Sequence, residues 1–254
     1  MSEPRVLVWD IETAPNVGYT WGKWDQNVLA FTRPWYVLTI AWKWEGDKKV
    51  QVLGLDDFEL FDTDPRDDTA LLAVAWELLN EADFVVAHNG VAFDTKKINA
   101  RLIMQGFDPP TPFREIDTLS IARKNFAFTS NKLGDICQAL GIGTKEDTGG
   151  FATWVGCMEG DLKAFAKMKK YNRHDVKILE ELYHKLRPWT KVFPNMATVA
   201  GRADACPKCL STEGNQIRGY RHTAVMRKVV YQCNACKGYY SSRTSTKTNT
   251  LYVN

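Results

Sequence analysis

The segment "VLVWDIETAP" at residues 6–15 constrains the fold more than any other, because Val6, Leu7, Val8 and Trp9 run together and Asp10 and Glu12 follow one residue apart. An apolar run without alternation reads as a strand buried on both faces. Such a strand is a costly place to end in two carboxylates of like charge. Side chains alternate along a strand, so Asp10 and Glu12 leave it on the same face. Either they sit at an exposed tip, or a cation belongs between them.

The chain around this strand divides into clear segments. "WYVLTIAWKW" and "KKVQVLGL" read as antiparallel neighbours joined by the turn at Gly46-Asp47. "DTALLAVAWELLNEA" has helical spacing, with Asp68 near its start. "DFVVAHNG" is a short strand entering a turn, "FDTKKINARLIMQG" a helix closed by Gly106, and "FREIDTLSIARK" a fifth strand with a short helix. "NKLGDICQALG" is another helix. Residues 141–160 hold six glycines and are expected to form a loop, before a long helix that ends at Pro188. The order predicts an α/β fold with a mixed five-stranded sheet flanked by helices.

At 254 residues the chain has room for one domain of about 200 residues and a small appendage. The boundaries expected are 1–188 for the main domain, 189–204 for a linker and 205–254 for the appendage. The N-terminus carries an early acid and no long apolar run, and no stretch approaches the length of a membrane helix, so a cytoplasmic protein with no membrane partner is expected. Charge is unevenly spread. Residues 201–254 carry nine Lys/Arg against two acids, a balance of +7, so the whole-chain charge of +3 leaves −4 for residues 1–200. A basic tail on an acidic body suits a polyanion-binding module.

Two further acids fit the first pair. Asp94 opens a helix just after the strand "FVVA" and the turn "HNG", and Asp175 lies on the long helix with Tyr171 four residues before it on the same face. Clustered carboxylates are what Mg²⁺ and Mn²⁺ bind. Two such ions can hold the attacking and leaving oxygens of a phosphodiester. The chain offers no G-x-S-x-G, P-loop or G-x-G-x-x-G in competition.

"WDIETAP", "VAHNGVAFDTKKI" and "YNRHDVKIL" together resemble the DEDD exonucleases of the ribonuclease H-like superfamily, most of all the proofreading exonuclease domains of family B DNA polymerases. The resemblance covers about residues 5–187. It implies a ribonuclease H-like fold and hydrolysis of nucleic acid, DNA ahead of RNA, from single-stranded 3′ ends; DNA replication or repair is the setting expected, with nucleotide salvage and RNA trimming also open. It implies that Asp10, Glu12, Asp94 and Asp175 bind two Mg²⁺ or Mn²⁺, and that Tyr171 orients or helps activate the attacking water. The family's other branch has a histidine with four residues between it and the last acid, which falls at position 170; that residue is Lys170, and His174 sits about 100° round the helix from Asp175. The tyrosine branch is therefore implied. A structure-selective endonuclease on the same fold, or a non-catalytic nucleic-acid-binding or adaptor protein, remains open.

His88 and Asn89 are candidate substrate contacts, with turn formation as the rival role. Phe93 is a third candidate, set against an expectation of core packing. Asp117 is expected to cap the following helix. Trp21, Trp24 and Trp35 could stack on bases, but core packing is expected for at least two of them.

"CPKC" at 206–209 and "CNAC" at 233–236 place four thiols in two knuckles, which fits a tetrahedral structural Zn²⁺ held by Cys206, Cys209, Cys233 and Cys236. Strands "NQIRGYRH" and "RKVVYQC" lie between them, and the whole resembles a zinc ribbon. A unit of about 40 residues has too little core to fold without the metal. Its arginines and tyrosines suit nucleic acid; a separate polymerase or replication protein is the other partner open to it.

Overall fold

Four successive apolar side chains can be buried together only between two layers, and β1 (Val6–Thr13) occupies that place at the centre of a sheet. The computed structural model describes residues 3–144, 146, 148–223, 226–244 and 247–248. A small hairpin of β2 (Val17–Tyr19) and β3 (Ala30–Arg33) follows β1. Then come β4 (Val37–Trp44), β5 (Gln51–Gly54), α1 (Thr69–Glu81), β6 (Phe84–Ala87), α2 (Asp94–Met104) and β7 (Arg114–Asp117). Helices α3 (Thr118–Asn125), α4 (Leu133–Ala139), α5 (Phe151–Met158) and α6 (Leu162–Leu186) complete the main part. The strand order is β5-β4-β1-β6-β7. β4 and β5 run antiparallel to their neighbours, whereas β6 and β7 run parallel. The expected mixed five-stranded sheet is therefore the observed one.

Alternation along β1 sends its side chains to two different layers. Leu7, Trp9 and Ile11 join Leu38 and Ile40 of β4 in the core, with Leu71, Leu72 and Leu79 of α1 and Ile98 and Leu102 of α2. The opposite face carries Asp10 and Glu12 together with their β4 partners Ala41 and Thr39. Helix α6 lies against that face: Thr39 Oγ1 donates to Asn172 Oδ1 at 2.9 Å, and Lys43 pairs with Glu180.

Asp68 has a larger part than starting a helix. Its carboxylate is fully buried, receives Arg101 Nε at 2.8 Å and Nη2 at 2.5 Å, and accepts the backbone N–H of Val37 at 2.9 Å. One acid thus joins α1, α2 and the start of β4.

The glycine-rich stretch departs from its expected form. Phe151–Met158 is a helix, not loop, with Thr153 and Cys157 buried. The glycines act as punctuation at its ends: Gly149, Gly150 and Gly160 all have positive φ. Gly156 lies inside the helix for a packing reason, since a Cβ there would come within 2.7 Å of Ala164 Cβ.

The chain forms two compact units, one of residues 5–120 and 128–182, the other of the described residues among 1–4, 121–127 and 183–254. The second unit packs Tyr183 against Phe193, stacked at 6.4 Å, and Phe126 edge-on to Trp189 at 5.7 Å. It adds α7 (Met196–Val199), β8 (Asn215–His222), β9 (Met226–Cys233), β10 (Tyr239–Ser241) and β11 (Lys247–Thr248). β9 pairs with all three of the other strands. Among the described residues no helix is long and apolar enough to cross a membrane.

Removing one partner of a buried ion pair leaves the other charge uncompensated. Arg101→Ala is expected to destabilise the fold by about 3–5 kcal/mol, read from urea unfolding. A loss below about 1 kcal/mol would show that the Asp68 carboxylate needs no counter-charge.

Candidate active site

Pairing of β1 with β6 ends at Val8↔Val86, two residues before the first acid. Beyond it the N–H of Ile11 donates to Asp94 Oδ1 at 3.2 Å. Asp94 reaches that position because β6 leaves the sheet through a tight turn. Asn89 takes a left-handed φ of 75°, and its carbonyl accepts the N–H groups of Ala92 and Phe93 at 3.1 and 2.9 Å. Gly90 is required by space, since a Cβ there would lie 2.5 Å from Ala87 Cβ. Asp94 is then the first residue of α2.

Helix α6 supplies the third group. Carboxylate oxygens of Asp10, Glu12 and Asp175 all lie within 4.8 Å of one another. Asp94 is outside that set, buried and held on the Ile11 N–H. Tyr171 is hydrogen-bonded to Asp175, and its ring meets Trp154 edge-on at 6.4 Å. Three hard oxygen donors at this spacing fit a divalent cation such as Mg²⁺ or Mn²⁺.

The electrostatics follow from crowding. Burial pushes the Asp94 carboxyl up from 3.8 to about 7 against the N–H bonds of Ile11 and its own backbone, with Asp117 and Glu115 adding to the rise. Burial first, then the Asp175, Glu12 and Asp10 carboxylates, raise the Tyr171 phenol above its ordinary value. Tyr171 therefore stays protonated as a hydrogen-bond donor.

One residue of this site escaped the sequence reading. Asn172 is fully buried; its Nδ2 donates to Asp10 Oδ2 at 2.6 Å and to the Asp10 carbonyl at 3.2 Å, while its Oδ1 accepts from Thr39. The available signal was an amide on the inner face of an amphipathic helix, three residues before Asp175. The bond fixes which way Asp10 faces.

The other candidates are held differently. His88 has both ring nitrogens engaged, Nδ1 with Thr118 Oγ1 and Nε2 with the Asn131 carbonyl, each at 2.9 Å. Asn89 makes the turn and donates its N–H to Asp117 Oδ1 at 2.9 Å; the same carboxylate accepts from Leu119 N and caps α3. Phe93 is not in the core: it is 38% exposed, with Lys97 Nζ 5.3 Å from its ring centre. His174 hydrogen-bonds the Thr144 carbonyl at 2.8 Å and does not join the acidic group. A cavity of about 440 Å³ begins at Thr13, the residue after Glu12, and is lined also by Asn16, Trp35, Lys97, Phe151 and Trp154 among others; none of the four acids lines it, and its link to them is Trp154, whose ring meets Tyr171.

In the second unit the four sulfurs of Cys206, Cys209, Cys233 and Cys236 lie within 4.8 Å of one another, with 3.9 Å between Cys206 and Cys236 and 3.7 Å between Cys209 and Cys233. A tetrahedral zinc with bonds of about 2.3 Å has sulfur–sulfur edges of about 3.8 Å, so the set fits. The N–H of Gly238 donates to Cys236 Sγ at 3.4 Å. Lys208, inside the first knuckle, is buried and donates to the carbonyls of Pro188 and Thr190 at 3.0 and 2.7 Å.

Residues 37–187 match the model of the RNase_H superfamily, and the chain belongs to that family. The matched segment holds Asp94, Tyr171 and Asp175 and begins after Asp10 and Glu12. A DNA polymerase III PolC-type of Ureaplasma parvum serovar 3 is 32% identical over 120 residues, which is 47% of this chain and 8% of that protein. The family B DNA polymerase from the hyperthermophilic archaeon Pyrobaculum calidifontis superposes with a TM-score of 0.55 at 14% identity, over 90% of this chain and 34% of that one. At that identity the likeness is one of fold.

Two measurements test the site. Asn172→Ala should weaken divalent-cation binding by about 10–100-fold, read by calorimetric Mn²⁺ titration. Asp94 contributes stability fully below its ordinary value near 3.8 and loses it as pH rises through about 7. In chelator, Asp94→Asn should therefore melt above the wild type at about pH 8, with the gap closing by about pH 4. A gap independent of pH would contradict the burial argument.

Proposed function

We propose that this chain is a metal-dependent 3′–5′ exonuclease acting on single-stranded ends of nucleic acid, DNA in preference to RNA. The observation that carries the reading is the meeting of Asp10, Glu12 and Asp175 within 4.8 Å, with Asp94 tied to the same strand and Tyr171 bonded to Asp175. Asp10, Glu12, Asp94 and Asp175 would hold two Mg²⁺ or Mn²⁺. Such ions supply an activated water and stabilise the leaving 3′ oxygen of an in-line displacement.

The chain's own residues do the rest. Asn172 keeps Asp10 turned toward Glu12 and Asp175. The protonated Tyr171 donates to Asp175 and stands where an attacking water can be oriented. The cavity that begins at Thr13 is of a size that takes a nucleotide, and Lys97 lends it a positive charge. His88 and Asn89 serve substrate by holding the turn that delivers Asp94, and Phe93 with Lys97 is the exposed contact of that segment.

The nuclease would occupy residues 1–188, and residues 189–204 would join it to a zinc ribbon at 205–254, of which 224–225, 245–246 and 249–254 lie outside the described residues. One structural Zn²⁺ on Cys206, Cys209, Cys233 and Cys236 would stabilise the ribbon. Arg227 lies 4.2 Å over the Tyr220 ring on an exposed strand pair, which suits nucleic acid; a separate polymerase or replication protein is the alternative partner. The setting proposed is cytoplasmic, in replication or repair.

Asp10→Ala should abolish mononucleotide release from 5′-labelled single strands while binding persists. Turnover within about tenfold of wild type would sink the assignment, because a metal ligand matters more than that. A circular single strand should resist the wild-type protein; cutting it would favour an endonuclease.

A further inference from the structure

The hairpin β2–β3 has no core of its own. Every residue from Gly18 to Pro34 is exposed, and Tyr19, Trp21, Trp24 and Phe31 are among them, with Trp21 at 88% and Trp24 at 76%. The expectation that at least two of Trp21, Trp24 and Trp35 pack in the core thus fails, because Trp21 and Trp24 are both exposed. Folding normally buries aromatic area of this kind, and a contiguous exposed set marks a surface meant to be covered.

Specific bonds shape the hairpin. Leu29 N donates to the Tyr19 carbonyl at 2.8 Å, and Thr32 Oγ1 to the Val17 carbonyl at 3.1 Å. Asn16 Oδ1 accepts the N–H of Trp35 at 3.0 Å and closes the base. Gly18 permits the close approach of the strands, since a Cβ would fall 2.6 Å from the Ala30 carbonyl oxygen. A two-stranded ribbon alone is marginal in water, so its aromatics gain by acquiring a partner.

The hairpin leads to the acids. It begins five residues after Glu12, and Asn16 and Trp35 at its base line the cavity with Lys97, Phe151 and Trp154. Positive charge alternates with the rings: Lys23 Nζ lies 5.2 Å from the Trp24 ring centre, and Lys97 Nζ 3.8 Å from that of Trp35. Residues 17–33 hold Lys23 and Arg33 against one acid, Asp25. The buried heart of a protein–protein interface is depleted of charge. Cations interleaved with aromatic faces instead match a single strand, whose bases stack and whose phosphates need neutralising.

We propose that the β2–β3 hairpin is an arm that stacks the unpaired bases of a polynucleotide whose path runs past the cavity lined by Thr13, Asn16 and Trp35 to the acids. This rests on the nuclease reading and adds to it the element that grips the strand upstream of the reacting end. Stacking tolerates any base, so the arm recognises single-strandedness and not sequence.

The test uses the full chain carrying Asp10→Ala, so that nothing is cleaved. Fluorescence anisotropy compares an oligo-dT strand with the same strand made of abasic spacers. The parent should prefer oligo-dT. Adding Trp21→Ala and Trp24→Ala should weaken oligo-dT binding by about tenfold or more and leave the abasic strand nearly unaffected, while Trp→Phe at both positions keeps most of the preference. Unchanged oligo-dT affinity in the double alanine variant overturns the arm and leaves the nuclease reading intact. So does a dimer in the parent that becomes a monomer in that variant without loss of binding. A parent that binds neither strand overturns both.

Discussion

The site depends on a backbone bond, Ile11 N–H to Asp94 Oδ1. It forms where β1 has outrun its parallel neighbour β6, at the point where the first two acids begin. A strand that extends past its partner has backbone donors to satisfy, and a buried donor must find an acceptor. Asp94 answers that need and so is drawn to the acids despite lying 84 residues after Asp10. The demand of one peptide group thereby helps to bring like charges together.

The same logic binds the third segment. Asn172 gives its amide to Asp10 and its carbonyl oxygen to Thr39, so α6 is registered against both β1 and β4. That registration places Asp175 one helical turn further on, among the acids. Neutral hydrogen-bond partners therefore hold carboxylates that repel each other. A rigid sheet centre and a packed helix limit how far those carboxylates can relax. A cation would relieve the crowding that burial and mutual repulsion create.

The molecule's aromatic residues divide between two uses. Trp9, Phe84 and Phe165 are fully buried and fill the layers beside the sheet. Trp21 and Trp24 project from a hairpin with no interior, and Trp35 lies at its base with Lys97 above the ring. Hydrophobicity alone does not separate these roles, because a tryptophan is apolar in both. What separates them is whether a second layer exists to cover the segment.

The sequence by itself determined the sheet, most helices and both cysteine knuckles, and it singled out the three acids that the structure brings together, since apolar periodicity and motif spacing are local properties. β1 was legible from four consecutive apolar residues, and α6 from its helical spacing. Other features were not local. Helix α5 was hidden because glycines at its ends look like those of a loop, and Asn172 because a buried amide resembles a surface one until its partner is known. Asp68 read as a helix start, yet its partner Arg101 lies 33 residues away on α2. Only the tertiary structure decided which three acids share one 4.8 Å cluster and which one stays outside it on the Ile11 N–H. That depends on where two strands stop pairing, a long-range fact that no window of sequence contains.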